Sequence, residues 1–464
     1  MILKYIILIL GAVFFIYALI RKPEIVAVLL FTLVIAQINI FYLRPIVTLA
    51  LFVRILFDKE TQATYPSFLG QRYVKLLIVF LLYGLLVSFS QDLFSYDLFK
   101  GDVDMVMLTY IVYHFYFKQG SAAQLRAAMI ASGLICFGDL AYTYIVFGSF
   151  PMHRLTTLLT NPGATVSYED IFAGINWNFF GQICGMCFVY VFCEYIKNRR
   201  ANKYIVWLLP IMLLGVLMST SRSSILGLLI MTILIVLNSI NFQEQKKKVV
   251  KVTAMFIGAS FMAVLTFATV GKYLNLDSGF IDGIVSRLSQ EPVAIVKKAL
   301  GQPYNIHNLG SMEWREESAE NAYTAYMNMD FREQLVGIGI HGFEARNIGH
   351  GFDAHNATLL LLIEYGLIGF FLYFMIVGGL IIRSVLTKNF SPALYTTGFI
   401  IIYGLGQNRE WTGWTTFLFV FCLLAEIQYQ RMERKKMSYM LTRDRDADSS
   451  SATTNTLPIN EQPN

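Results

Sequence analysis

Two short polar stretches interrupt long apolar runs, and both contain residue types that can do chemistry. Residues 217–227 read LMSTSRSSILG, so a single arginine, Arg222, stands among hydroxyl side chains. Residues 353–369 read DAHNATLLLLIEYGLIG, so His355 and Asn356 directly precede an apolar run. A guanidinium group presents a planar fork of donors that suits phosphate oxygens. An imidazole titrates near neutral pH and can accept a proton as a general base.

The composition indicates what kind of molecule must position these residues. Of the 464 residues, 56% are hydrophobic and 15% are charged, compared with about 25% charged in a typical soluble domain. Apolar windows of about 20 residues, long enough to cross a hydrocarbon core as helices, recur along the chain. We therefore predict an all-α polytopic membrane protein surrounded by membrane lipids, with no nucleic-acid partner. The apolar N-terminus is predicted to be one more spanning helix rather than a removed signal peptide.

Three basic clusters set the predicted topology, because short loops rich in Lys and Arg stay in the cytoplasm. They lie at 197–203, 245–251 and 431–436. The apolar run 204–240 joins the first two clusters and, as one helix at ~1.5 Å per residue, would be roughly 55 Å long. That is too long for one crossing, so the chain is predicted to cross twice and to turn at Ser219–Ser224. Arg222 then lies at or just below the outer face.

Alternating crossings predict thirteen helices, or twelve if the short third one, which carries Arg54, is a half-helix or re-entrant segment. They lie near 2–20, 24–43, 45–57, 73–91, 103–117, 125–147, 175–195, 203–219, 222–240, 250–271, 356–381, 393–408 and 412–429. The predicted divisions are an N-terminal helix bundle (1–271), a large extracytoplasmic loop (272–354), C-terminal helices (355–430) and a disordered cytoplasmic tail (437–464).

The predicted turn at Arg222 has the features of an anion site. Ser221 or Ser223 can cap the helix that begins there. The N-terminus of that helix points outward with its free N–H groups and its positive dipole end. The alternative is an interfacial arginine that reaches toward the headgroups beside a capped turn. Asn178, in AGINWNFFGQ (173–182), opens another helix from outside, where N-capping is the simple explanation.

His355 and Asn356 stand at the outer mouth of a predicted helix, where the alternative to catalysis is capping or contact with headgroups. Glu364 lies nine residues after His355, half a helical turn out of line, so the two residues are not expected to pair. A buried carboxylate needs a partner, and Glu364 is predicted to be a hydrogen-bond node between helices. Gly366 and Gly369 are predicted to allow close helix approach.

Together these stretches resemble the O-antigen ligase/O-antigen polymerase superfamily of integral membrane, GT-C-like glycosyltransferases. Such proteins typically show an Asn at a helix start, a Ser-Arg turn between two helices, and a large outer loop. The loop closes with a Gly-x-Gly segment before a His-Asn pair and a Glu-x-Gly-Leu-Ile-Gly stretch. The matching residues here are Asn178, Ser221-Arg222, GIGIHGF (337–343), His355-Asn356 and EYGLIG (364–369). The resemblance covers roughly 170–380, and the N-terminal third is similar only in hydropathy.

The resemblance implies glycan transfer at the outer face of the cytoplasmic (inner) membrane, from a polyprenyl-diphosphate-linked oligosaccharide to an acceptor glycan. It implies that His355 is the base of an inverting displacement. Arg222 and a loop arginine would hold the diphosphate, with no metal or other cofactor. Arg315 is the candidate loop arginine, and Arg287 and Arg332 are alternatives. The candidate substrate-binding residues are Asn178, Ser221, Ser223, Asn356 and Arg287. Flippase and chain-length regulator proteins are candidate partners.

Several alternatives remain open at this stage. Within the superfamily we predict a polymerase, because no stretch is ligase-specific, and the alternative is a ligase that transfers the glycan to lipid A-core or protein. A flippase would place charges near the midplane, where Arg54 and Asp139 are the candidates. A metal-dependent hydrolase would use His341, His350, Asp353 and His355, whose spacings match no zinc motif. Four aromatic residues of the outer loop could stack on sugars or pack: Tyr304, Trp314, Tyr323 and Tyr326.

Overall fold

The computed structural model describes residues 13–36, 43–58, 68–119, 123–147, 177–197, 205–219, 221–238, 297, 300–303, 312–348, 356–386, 391–405 and 418–431. Every regular element within these ranges is helical, which confirms the predicted all-α class. The predicted helix at 250–271 and the predicted tail at 437–464 lie outside the described residues.

The helices of the described residues are numbered in chain order. They are α1 (13–21), α2 (Pro23–Ile35), α3 (Leu43–Leu56), α4 (Arg72–Ser90), α5 (Tyr96–Gln119), α6 (Ala123–Phe147), α7 (Trp177–Lys197), α8 (Leu209–Met218), α9 (Arg222–Asn238), α10 (Met312–Asn328), α11 (Phe331–Val336), α12 (Gly342–Ala345), α13 (Ala357–Leu386), α14 (Pro392–Gly404) and α15 (418–431). Short 3-10 helices at Phe68–Gly70 and Ile205–Leu208 precede α4 and α8.

Several of these helices are suited to a bilayer. Three are long and apolar enough to cross a membrane: Arg72–Ser90, Ala123–Ala141 and Ala357–Leu386. Three shorter apolar helices accompany them in the described part of the chain: Pro23–Ile35, Leu209–Met218 and Ser223–Asn238. The protein is therefore an all-α polytopic membrane protein.

Helix α7 lies at the centre of the bundle. Its residues are buried without interruption from Phe180 to Cys193, as expected for a helix that is apolar on all sides. It packs against α6, α8, α9 and α14. A Cβ at Gly185 would overlap the ring of Phe399 on α14, so glycine is required for this close approach. The helix that carries Asn178 near its start is thus held firmly by its neighbours.

Charged side chains join the helix ends that are predicted to face the cytoplasm. Arg383 of α13 donates from one nitrogen to both carboxylate oxygens of Glu426, at 2.7 and 2.9 Å. Arg431 donates to the main-chain carbonyl of Tyr116 at 3.4 Å, with its guanidinium 4.5 Å from the centre of that ring. These contacts connect α5, α13 and α15 at one end of the bundle, which leaves the opposite end for the candidate site.

Candidate active site

The serine-rich turn between α8 and α9 is a hydrogen-bonded cap, and α9 begins at Arg222 as predicted. Ser221 Oγ accepts the N–H of Ser224 at 3.4 Å and the hydroxyl of Ser224 at 2.9 Å. The Oγ of Ser219 accepts the N–H of Ser221 at 3.2 Å. Ser221 is fully buried, whereas Ser223 is half-buried. Of the two predicted caps, the structure selects Ser221, and capping is the role that this geometry supports for it.

The turn packs directly against the beginning of α7. A Cβ at Gly181 would lie 2.9 Å from the Cβ of Ser219 and 3.0 Å from that of Ser221, so a side chain has no room there. Asn178 lies one helical turn before Gly181. The structure therefore brings the backbone of Asn178 and that of Arg222 to the same end of two contacting helices.

The directions of the helices place the start of α13 at this same end. Gly227 of α9 lies against Phe399 and Ile402 of α14, and Gly398 of α14 lies against Met231 of α9, so these helices are antiparallel. Helix α14 begins only a few residues after α13 ends, so it returns toward the end where α13 starts. The starts of α7, α9 and α13 therefore lie at one end of the bundle.

Asn356 is the N-cap of α13. Its Oδ1 accepts the N–H of Thr358 at 3.0 Å and that of Leu359 at 3.2 Å. These bonds satisfy two of the main-chain donors that a helix start leaves without partners. His355 directly precedes this cap and lies outside the described residues. The structure thus describes the helix start that follows the candidate base.

The candidate loop arginines are spread along the large loop. Arg315 lies in the first turn of α10, and Arg332 is exposed on α11. Arg287 lies outside the described residues. Both α10 and α11 pack against α13, so this packing does not distinguish Arg315 from Arg332, and Arg315 stays the candidate from the sequence.

Helix α13 is broken at Gly366, where the loop segment 337–343 docks. Gly366 has φ 61° and ψ −172°, and Gly337 of the docked segment has φ 90°. A Cβ at either glycine would overlap main-chain atoms of the other segment. Only glycine fits these two positions, so the structure corrects the prediction that Gly366 serves close helix approach. Gly369 does serve it, since a Cβ there would lie 3.0 Å from the ring of Tyr83 on α4.

Four successive main-chain N–H groups of the docked segment are held by α13 and α4. Ile338 N–H donates to the carbonyl of Ile363 at 3.1 Å, and Gly339 N–H donates to the carbonyl of Glu364 at 3.0 Å. Ile340 N–H donates to Ser88 Oγ at 2.9 Å. His341 N–H donates to Glu364 Oε1 at 2.8 Å. Glu364 is 2% exposed and supplies two of these acceptors. Glu364 was predicted to be a hydrogen-bond node between helices, and the bonds described here join α13 to the main chain of the outer loop.

The end of α4 holds the loop through side chains that were not predicted. Tyr83 donates from its hydroxyl to the carbonyl of Val336 at 2.8 Å and to that of Tyr365 at 3.2 Å. Arg346 donates to Gln91 Oε1 at 3.1 Å. The N-terminal third resembles the family only in hydropathy, so no motif pointed to these residues. The available signal was the placement of hydroxyl and amide side chains near the end of an apolar helix.

Helix α10 packs on α13 through a small core of its own. This cluster consists of Ala322, Tyr326, Ile338, Phe343 and Ile363. Tyr326 is 8% exposed, its hydroxyl donates to the carbonyl of Gln334 at 3.2 Å, and burial raises the pKa of its phenol. Packing is therefore the role of Tyr326, whereas Tyr323 is 54% exposed and accessible to a ligand.

The turn at Arg222, the docked loop and the start of α13 all fall within one family match. A family model described as O-antigen ligase matches residues 207–374. A search of the curated proteins finds no significant match. The chain is therefore similar to the O-antigen ligase family over residues 207–374, which confirms the predicted resemblance to the O-antigen ligase/polymerase superfamily over that stretch.

Proposed function

We propose that the protein is a membrane glycosyltransferase that polymerises polyprenyl-diphosphate-linked oligosaccharide repeat units, as in O-antigen, capsule or exopolysaccharide. It would act at the outer face of the cytoplasmic membrane. One observation carries the proposal. The family match at 207–374 includes the Ser-Arg turn and the His-Asn helix start, and the helices that begin there start at one end of the bundle.

The donor diphosphate is held by arginines in this proposal. Arg222 stands at the first position of α9, where the helix N-terminus also favours an anion. Arg315, in the first turn of α10, supplies the second guanidinium group. Negative charge grows on the diphosphate as the sugar leaves, so fixed guanidinium groups stabilise the transition state more than the ground state.

His355 acts as the general base in the same step. An acceptor sugar hydroxyl attacks the anomeric carbon of the donor from the side opposite the diphosphate, and its proton passes to His355. The new glycosidic bond forms as the bond between the anomeric carbon and the diphosphate oxygen breaks, so the configuration inverts. Asn356, the N-cap of α13, fixes the helix start that directly follows this base.

A ligase is the second candidate, and the description of the matching family as O-antigen ligase favours it. The donor chemistry is the same, and the acceptor would be a lipid A-core sugar or a protein. Glycan chain lengths in a deletion strain separate the two. Single repeats on the final acceptor would indicate a lost polymerase, whereas long lipid-linked chains that accumulate would indicate a lost ligase.

Replacement of His355 tests the proposal directly. In His355→Ala, we expect transfer to fall by at least ~10²-fold, because the general base is lost. The matched control is His341→Asn, since His341 is in the same loop, its side chain is 51% exposed, and its left-handed φ of 64° suits asparagine. Transfer is measured with purified protein and a lipid-linked donor. Wild-type transfer by His355→Ala would rule out the proposed base.

A further inference from the structure

We infer that Glu364 is a positioning residue, which ties the outer part of α13 to the large loop and thereby fixes the helix start that directly follows His355. The inference rests on the proposed function for the role of His355. The hydrogen bonds that Glu364 makes are independent of that role.

The outer part of α13 is a short helix with two defined ends. Asn356 caps its start, and the break at Gly366 ends it, so residues 357–365 form about two and a half turns. Because the break interrupts the helix, the remainder of α13 does not by itself set the direction of this segment. Its direction is set by what it contacts, which is the loop on the side of Ile363 and the main core on the side of Leu361 and Tyr365.

Glu364 makes the polar part of this contact. Its carbonyl accepts the N–H of Gly339, and its side-chain Oε1 accepts the N–H of His341 at 2.8 Å. Departure of the loop would break this hydrogen bond to a buried side chain, and a broken hydrogen bond at a buried group carries a penalty.

Apolar side chains also join the loop to the outer part of α13. The small core beneath α10 joins Ile363 of the outer segment to Ile338 and Phe343 of the loop, whereas Ile340 and Leu361 pack in the main core of the bundle. The loop and the outer segment thus form one unit. Because His355 directly precedes this unit, an error in its placement moves the base relative to the acceptor hydroxyl, and a shift of about 1 Å can lower a rate by ~10²-fold.

Three variants of the full-length protein test the inference. Glu364→Ala removes the acceptor, Glu364→Gln keeps an oxygen at that position, and Glu344→Ala removes a glutamate that approaches His341 Nδ1 at 3.6 Å but is 66% exposed. Hydrogen exchange of the peptide that covers 338–341 reports docking. Steady-state transfer with a lipid-linked donor reports kcat and KM separately.

In Glu364→Ala, we expect exchange of this peptide to accelerate at least ~10-fold, since a buried hydrogen bond to its main chain is lost. We also expect kcat to fall ~10²-fold with a KM for the donor within about threefold of wild type, because the base is displaced while the diphosphate site remains. Glu364→Gln should recover both properties to within about threefold of wild type, and Glu344→Ala should resemble wild type. If Glu364→Ala does not accumulate, Ser88→Ala, which removes the acceptor for Ile340, should show the same changes at smaller size.

Two results would overturn the inference. The first is unchanged exchange in Glu364→Ala, since the loop would then not depend on this carboxylate. The second is rapid exchange with a wild-type kcat, because docking would then have no positioning role. A failure of the proposed function is recognised separately, through wild-type transfer by His355→Ala, and the exchange measurement does not depend on that result.

Discussion

Gly366→Ala should separate the large loop from α13. Gly366 has φ 61° and ψ −172°, a region that side-chain-bearing residues avoid. A Cβ there would lie 2.5 Å from both the N of Gly337 and the carbonyl oxygen of Leu335. Both are main-chain atoms, so no side-chain rotation relieves the overlap. Either the loop moves away or the break in α13 straightens, and the docking bonds are lost in both cases.

The magnitude follows from two contributions. A residue held in such a backbone region costs about 1–3 kcal/mol. Loss of the hydrogen bonds from Ile338, Gly339 and His341 removes about 0.5–1.5 kcal/mol each. Together these contributions lower the stability of the docked state by about 2.5–7.5 kcal/mol. A loss of 3 kcal/mol corresponds to a factor of more than ~10² in the docking equilibrium, since 1.4 kcal/mol is tenfold.

Hydrogen exchange of 338–341 in detergent or lipid nanodiscs measures this change, and exchange should accelerate ~10²-fold. The matched control is Gly379→Ala on the same helix, where a Cβ would meet nothing within 4 Å. Alanine is the better helix former by about 1 kcal/mol, so this control should be as stable as wild type or more so. Equal exchange rates in both variants would refute the reasoning, because Gly366 would then have no special part in docking.

Two further predictions concern the helix starts. Arg222→Lys should lower transfer roughly tenfold or more, because a point charge cannot offer a bidentate fork to the diphosphate; full activity of this variant would favour an arginine that only reaches toward the headgroups. Asn356→Ala should lower stability by about 0.5–2 kcal/mol in thermal unfolding, because the cap is lost, whereas Asn356→Asp should keep it. If both Asn356 variants are stable but fail to transfer glycan, Asn356 contacts the substrate in addition to capping the helix.

The features that could be predicted from the sequence are those whose physical causes lie within a short stretch of the chain. The turn before Arg222 followed from the spacing of basic clusters and the length of the apolar run between them, and the structure has α9 beginning at Arg222. Capping by Ser221 followed from a side chain that bonds to an N–H group three residues later. Asn356, predicted to bind substrate, caps α13 through bonds that are equally local. In each case a short stretch of chain contains the complete physical reason.

Docking of the loop could not be predicted in this way, because its causes are distant in sequence. Gly366 stands in an apolar helical pattern, where glycine ordinarily indicates close helix packing. Its actual backbone conformation is required by contact with Gly337, and sequence spacing does not reveal such a pairing. The same holds for Tyr83 and Ser88, whose partners Val336 and Ile340 lie about 250 residues away along the chain.

The candidate site is divided between two packed units, and this division has a consequence for catalysis. Arg222 belongs to a unit built on α7, where the serine turn rests on Gly181. Asn356 and α10, which carries Arg315, belong to the unit formed by the loop, the outer part of α13 and the end of α4. In the proposed reaction the diphosphate must reach arginines of both units while His355 reaches the acceptor. Transfer should therefore depend on how the two units are held together as well as on the reacting groups. Helix α4 lies outside the family match at 207–374, so residues beyond the matched stretch help to hold the loop against α13.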